Sequence, residues 1–361
     1  MMNKSPKRVA VVLAIILVLS VLNVVPAIAQ SLSKAIDVYY RNIRIYVEGD
    51  LLVPKVASGR VVEPFIYDGA VYLPIRVVSE ALGRTVTWDD ATNSVYIGEM
   101  TPQDVKEITV STAEELVAAL GSNRRIILEE GVYNLTAVSS MDIINPSIYF
   151  AENFDGPELV LDGVHNLTIQ GAGDGWSEIL ADPRYAVVMY FLNCSNINIA
   201  NVKAGHTEGG YCSGGVFSFE SSSGIRIDDT LMYGCGTVGL SIMQVIDMKV
   251  ANSTIYDCTQ GIMDIYYSSD ISFKNCVFKD NAGFIMVDVQ FTNGLTIDSC
   301  AFLHNVDEYR FYPMFSILQS ENVSIKNNRF EDNILSSLFE QKDIKIDSSN
   351  KLKNNSFKVN R

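Results

Sequence analysis

The feature that most restricts the fold is an apolar-x-apolar triplet that returns about once per coil of a solenoid. It stands at Leu167/Ile169, Ile197/Ile199, Ile225/Ile227, Met248/Val250, Ile271/Phe273, Leu295/Ile297, Val323/Ile325 and Ile344/Ile346. The first members are 30, 28, 23, 23, 24, 28 and 21 residues apart, too far for hairpins and too regular for unrelated strands. One short strand per period cannot bury its apolar face alone, so successive turns must stack. The period predicts a parallel β-solenoid over residues 107–361.

Positions counted from the first residue of each triplet form columns. Offset +4 carries Asn201, Asp229, Asn252, Asn275, Ser299 and Asn327, and +7 carries Met232, Ile255, Phe278, Phe302 and Phe330. Offset +10 carries Asn281, Asn305 and Asn333. Stacked Asn amides bond from coil to coil while stacked Phe fills the interior. A second strand precedes each triplet, with −8 and −6 apolar, as in Leu240/Ile242, Met263/Ile265 and Val287/Val289. The −7 residue between them should face solvent; it is Val160, Tyr190, Ser218, Ser241, Asp264, Asp288, Ser316 and Ser337. Ahead of the repeats, Ile108–Val110 reads as a strand. Thr112 with Glu115 reads as a capping box opening a short helix that Gly121 ends. Such a helix would cover the open end of the solenoid.

With the Asn166–Gly173 segment and the coils from Ile197 to Phe330, this region resembles the right-handed parallel β-helix proteins of the pectin lyase-like superfamily. The fold class is therefore mainly β: a right-handed parallel β-helix with an N-terminal capping helix, preceded by a small α+β domain. That domain, residues 40–98, has short alternating strands, the Asp68-Gly69 turn, and a helix that Pro74 opens and Gly83 stops. Pro64–Gly69, Tyr72–Arg76 and Val86–Asp90 resemble the copper amine oxidase N-terminal-like domain, which implies a spacer or attachment role. No copper is expected, because His165, His206 and His304 all lie outside it and form no His-x-His pair.

Lys4, Lys7 and Arg8 precede an apolar run, Val9–Val25, and Ala27-Ile28-Ala29 offers small residues for cleavage. Residues 1–29 are thus expected to be a signal peptide, and an uncleaved segment would instead anchor the protein in a membrane. The expected location is secreted or associated with the cell envelope. With 28 Lys+Arg against 42 Asp+Glu the net charge is −14, and cleavage after Ala29 would make it −17 by removing three basic residues. That charge excludes a basic nucleic-acid surface, and 48% hydrophobic residues exclude global disorder. The six cysteines lack metal-binding spacing. Cys276/Cys300 share +5 and Cys235/Cys258 share +10, within bridging reach, yet buried free thiols are the expected state.

Asp264 and Asp288 occupy the same outward position in successive coils, with backbones about 4.8 Å apart. Carboxylates that close raise a pKa or recruit a cation, calcium being the candidate. At −5 stand Glu220, Met243, Tyr266 and Gln290, adding an acid and a sugar-stacking aromatic. Longer loops at 171–184, 202–214 and 304–313 bring His206, Glu208 and Tyr211, and then Asp307, Glu308, Tyr309 and Arg310. The superfamily's calcium-dependent lyases hold calcium on acidic residues beside a uronate while an Arg or Lys takes the proton α to its carboxyl group. That resemblance implies Asp264 and Asp288 as metal ligands and Arg310 as base, ahead of Lys274. His206 is the second catalytic candidate, with Tyr266, Glu220 and Tyr211 on the substrate. Two readings follow: a protein that binds and cleaves polysaccharide or cell-wall glycan, or a noncatalytic surface or adhesion module with a rigid binding face.

Overall fold

The computed structural model describes residues 37–357 apart from 48, 56–60, 85, 90–93, 98–104, 140–142, 144, 154–155, 174, 183–185, 208–213 and 342–343. The expected leader falls outside these residues. The chain divides into two compact units, the first reaching Thr87 with Ile97–Glu99, the second comprising Trp88–Tyr96 and the chain from Met100.

The small unit is built from short hairpins. Ile45–Val47 pairs antiparallel with Asp50–Leu52, and Phe65–Tyr67 with Ala70–Tyr72. Asp68 and Gly69, at φ +46° and +76°, provide the tight turn that matches strand twist. Helix α1, Ile75–Ala81, follows Pro74. Val86–Asp89 and Ser94–Ile97, most of whose residues are counted with the second unit, form a further two-stranded sheet.

The second unit is a solenoid of three sheets, and each coil visits them in the order A, B, C. In one coil these strands are Leu240–Met243, Ile246–Ala251 and Thr254–Tyr256. Sheet A has eight strands, sheets B and C nine each. The parallel register places Ile225 beside Met248, Met248 beside Ile271 and Ile271 beside Leu295, the spacing set by the apolar triplets. The +7 residues sit mid-strand in sheet C, in strands of three residues that are too short to show a period of their own. There Phe302 stacks on Phe330 at 4.8 Å between centroids, inside a continuous apolar core.

Helix α2, Ala113–Ala119, buries Leu116 and Val117 over the first coil. The Thr112 hydroxyl accepts from Glu115 N–H at 3.2 Å, while the Glu115 carboxylate accepts from Ser111 N–H at 2.8 Å, one residue outside the expected box. The Ser111 backbone bond holds the Glu115 carboxyl below its usual range. A strand absent from the sequence reading, Ile148–Asn153, runs antiparallel to Gly156–Asp162 and covers the first edge of sheet A.

Turn chemistry repeats in columns. The +4 residues have φ between +43° and +58°, so they supply left-handed corners rather than a buried ladder. The +10 column is the buried ladder: Asn281 Nδ2 donates to Asn305 Oδ1 and Asn305 Nδ2 to Asn333 Oδ1, both at 3.0 Å. It continues to Asn355, which accepts from Asn333 Nδ2 at 2.8 Å.

Three expectations are corrected. Cys235 and Cys258 are disulfide-bonded, whereas Cys276 and Cys300 are buried free thiols. Shared position on adjacent coils brings the bonded pair to a Cα separation of 4.7 Å. Ile344/Ile346 form no strand, because this stretch runs into a turn in which Asp347 accepts from Ser349 N–H at 2.9 Å. Finally, the −7 row is not uniformly solvated: Val160, Asp288 and Ser316 are buried. Phe315 pairs with Phe339, so Glu340 rather than Ser337 continues that row and accepts from the Ser316 hydroxyl.

Candidate functional site

The outer face of sheet A presents two rows. The first runs Tyr190, Ser218, Ser241, Asp264, Asp288 and Ser316; the second Leu192, Glu220, Met243, Tyr266, Gln290 and Leu318. Alternation along each strand points both rows away from the core. The corners leading from sheet C back to sheet A rise beside the first row. Between them lies a cavity of about 400 Å³, whose floor carries Ser218, Ser241, Asp264 and Asp288 and whose wall includes Thr237, Gln260 and Phe284. Among the described residues none that lines it is Lys, Arg or His.

The two acids differ in environment. Asp288 is 9% exposed; its Oδ2 accepts from the Tyr266 hydroxyl at 2.8 Å and from Gln290 Nε2 at 2.9 Å, while its Oδ1 is buried without a hydrogen-bond partner. Burial, reinforced by the Asp288 charge, pushes Asp264 up to about 6. Burial and the two carboxylates raise the Tyr266 phenol as well. The pair thus sets a carboxyl that accepts from two donors beside one whose proton is retained up to about pH 6.

The other candidates do not all converge here. Glu220 sits in the second row but is engaged by the Tyr190 hydroxyl. His206 ends the sheet C strand Val202–His206, is 2% exposed, and bonds through Nε2 to the Ala186 carbonyl at 2.7 Å. It is a buried link between neighbouring coils, outside the cavity lining, because the strand continues further than the apolar pattern indicates. Arg310 also lies outside the lining, in a turn organised by Asp307. The Asp307 carboxylate accepts from the backbone N–H groups of Tyr309, Phe311 and Tyr312 at 3.0, 2.5 and 2.7 Å. Tyr211 and Glu208 fall outside the described residues. Lys274 belongs to sheet B, paired with Asp298.

Sequence reasoning missed Gln290 as a donor to Asp288 and Phe284 as a wall residue. Phe284, half-exposed, meets Tyr312 edge-on at 5.1 Å, so the Asp307 turn buttresses the cavity wall. An exposed aromatic in a corner otherwise made of small and polar residues was the available signal.

Calcium takes six to eight oxygens, and the protein's own donors fall short of that. Among the described residues no group of three or more His, Cys, Asp or Glu is placed to hold a metal.

Three parallel sheets wound coil on coil define a right-handed parallel β-helix. Residues 162–306 match the family model described as right handed beta helix region, and residues 55–123 that of the copper amine oxidase N-terminal domain. Among solved structures, a pectate lyase from Paenibacillus sp. 0602 is similar at 12% identity and TM-score 0.46, covering 72% of this chain and 80% of that one. A pectin methylesterase from Aspergillus niger is similar at 11% identity and TM-score 0.40, covering 71% and 86%. A pectate lyase from Bacillus sp. N165, solved with trigalacturonate, is similar at 13% identity and TM-score 0.35, covering 72% and 84%. No curated protein matches this sequence.

Proposed function

We propose that this is an exported, envelope-associated protein whose β-helix binds a polysaccharide along the outer face of sheet A. The observation that carries the reading is the Asp264/Asp288 pair in an open cavity on a long, rigid face, with Tyr266 and Gln290 donating to Asp288 from the neighbouring row. Such a surface offers hydrogen-bond acceptors at the spacing of successive strands, which suits a hydroxyl-rich chain. The leader-like N-terminus and the acidic net charge support export and argue against a nucleic-acid partner. A membrane enters this reading only through an uncleaved N-terminal segment. Cleavage of the glycan rests here on the carboxyl pair, with Asp264 able to give a proton up to about pH 6. Arg310 and His206 have no place in it, and no step passes through calcium. A noncatalytic binding module is the second reading, favoured by the absence of a basic side chain among the described residues of the cavity lining.

The test is a panel of neutral and acidic polysaccharides offered to the protein lacking residues 1–29, with and without calcium, scored for binding, unsaturated ends and reducing ends. Product formation lost in Asp264→Ala and Asp288→Ala supports cleavage. Binding without products selects the module, and no binding across the panel refutes both.

A further inference from the structure

The corner between sheets A and B is a left-handed position in every coil where it is described. At offset −4 stand Gly163, at φ +67°, and then Asn193, Ser221, Gln244, Tyr267, Phe291 and Gln319, with φ between +47° and +55°. Asn tolerates this conformation; a bulky aromatic side chain adopts it only under constraint. The backbone supplies that constraint, since Tyr267 N–H donates to Gln290 O and Phe291 N–H to Leu318 O, both at 3.0 Å. Nothing in the core requires rings here. Tyr267 is 55% and Phe291 44% exposed, and they stack on each other with centroids 4.8 Å apart and planes inclined by 2°.

These two corners follow directly the strands Met263–Tyr266 and Val287–Gln290, which carry Asp264 and Asp288. Strained, exposed aromatics therefore coincide with the acid pair on the same two coils and nowhere else in the column. Gln244 and Gln319 bracket the rings, so polar donors and acceptors flank an apolar stack. A hexopyranose unit has that same division, with C–H groups on its faces and hydroxyls around its rim.

Resting on the polysaccharide reading above, we infer that Tyr267 and Phe291 form a sugar-stacking subsite at the edge of the sheet A groove, for a neutral, β-linked hexopyranose chain. Neutrality follows from charge: among the described residues the cavity lining offers two Asp and no basic side chain, which repels a polyuronate that brings no cation. β-Linked equatorial units present the flattest C–H faces to a ring, and the bracketing glutamines take the hydroxyls.

The experiment uses calorimetric titration of the protein lacking residues 1–29 with cellohexaose, chitohexaose and polygalacturonate, alongside thermal melts. The variants are Tyr267→Asn, Phe291→Asn and the double substitution, because Asn already occupies this column at Asn193. The expected result is binding of at least one neutral hexasaccharide, weakened about tenfold or more in the double variant. Its melting temperature should be unchanged or raised, since Asn relieves the left-handed corner. Unchanged affinity in the double variant overturns the inference, as does a fall of several degrees in melting temperature, which would make the rings structural. Binding confined to polygalacturonate or to other members of the wider panel overturns it while leaving the polysaccharide reading intact. Failure of every glycan to bind removes both.

Discussion

Replacing Asp264 with Asn tests the electrostatics of the candidate site without needing a ligand. Burial and the neighbouring Asp288 raise the Asp264 carboxyl from 3.8 to about 6, so the folded protein binds that proton more tightly than the unfolded chain does. The stability of the native protein must therefore fall as pH rises from about 4 to about 6 and stay level above that. Raising the carboxyl from 3.8 to about 6 corresponds to about 3 kcal/mol, which partial solvent contact of Asp264 reduces to about 1–2 kcal/mol. Asp264→Asn keeps the shape and removes the charge. At pH 4 it should match the native protein; at pH 8 it should be more stable by that amount, or about 3–6 °C in melting temperature for a domain of this size. Thermal melts of both proteins at half-unit pH steps give the answer. Parallel curves across the interval from 4 to 6 would refute the reasoning, because they would mean that Asp264 ionises in the folded protein as easily as in water.

Asn305→Ala removes a fully buried amide that bonds Asn281, Asn333 and the Phe278 carbonyl, and the groups left unpaired should cost about 2–4 kcal/mol, read as a lower urea midpoint. Non-reducing peptide mapping should recover Cys235 linked to Cys258, and Cys258→Ser should lose about 3 kcal/mol because the bond closes a 23-residue separation. Recovery of both as free thiols would contradict the structure. His206→Ala should lower the melting temperature through its lost link to Ala186, yet leave the glycan affinity of the folded protein unchanged; a selective loss of affinity at constant stability would restore His206 to the site.

The coil period and the in-register apolar columns were legible because a solenoid is close to one-dimensional: each strand meets its equivalent one coil away, so sequence offset translates directly into position. The same logic placed Asp264 beside Asp288 and Tyr266 beside Gln290. The Asn281–Asn305–Asn333 ladder was legible for that reason too, since an amide column needs the same residue at the same offset. The corners were less so. Three-residue strands in sheet C carry one inward residue each and show no alternation, and Ile148–Asn153 pairs antiparallel outside the period.

What the tertiary structure alone decided is the depth and company of each side chain. Asp288 was expected on an open face and is buried, because corner residues distant in sequence rise around it. His206 and Arg310 were grouped with the acids by residue type, yet one is packed between coils and the other lies in a turn held by Asp307. Periodicity gives the direction in which a side chain leaves its strand; whether it then meets solvent, a carboxylate or a neighbouring coil depends on the corners, whose lengths follow no period.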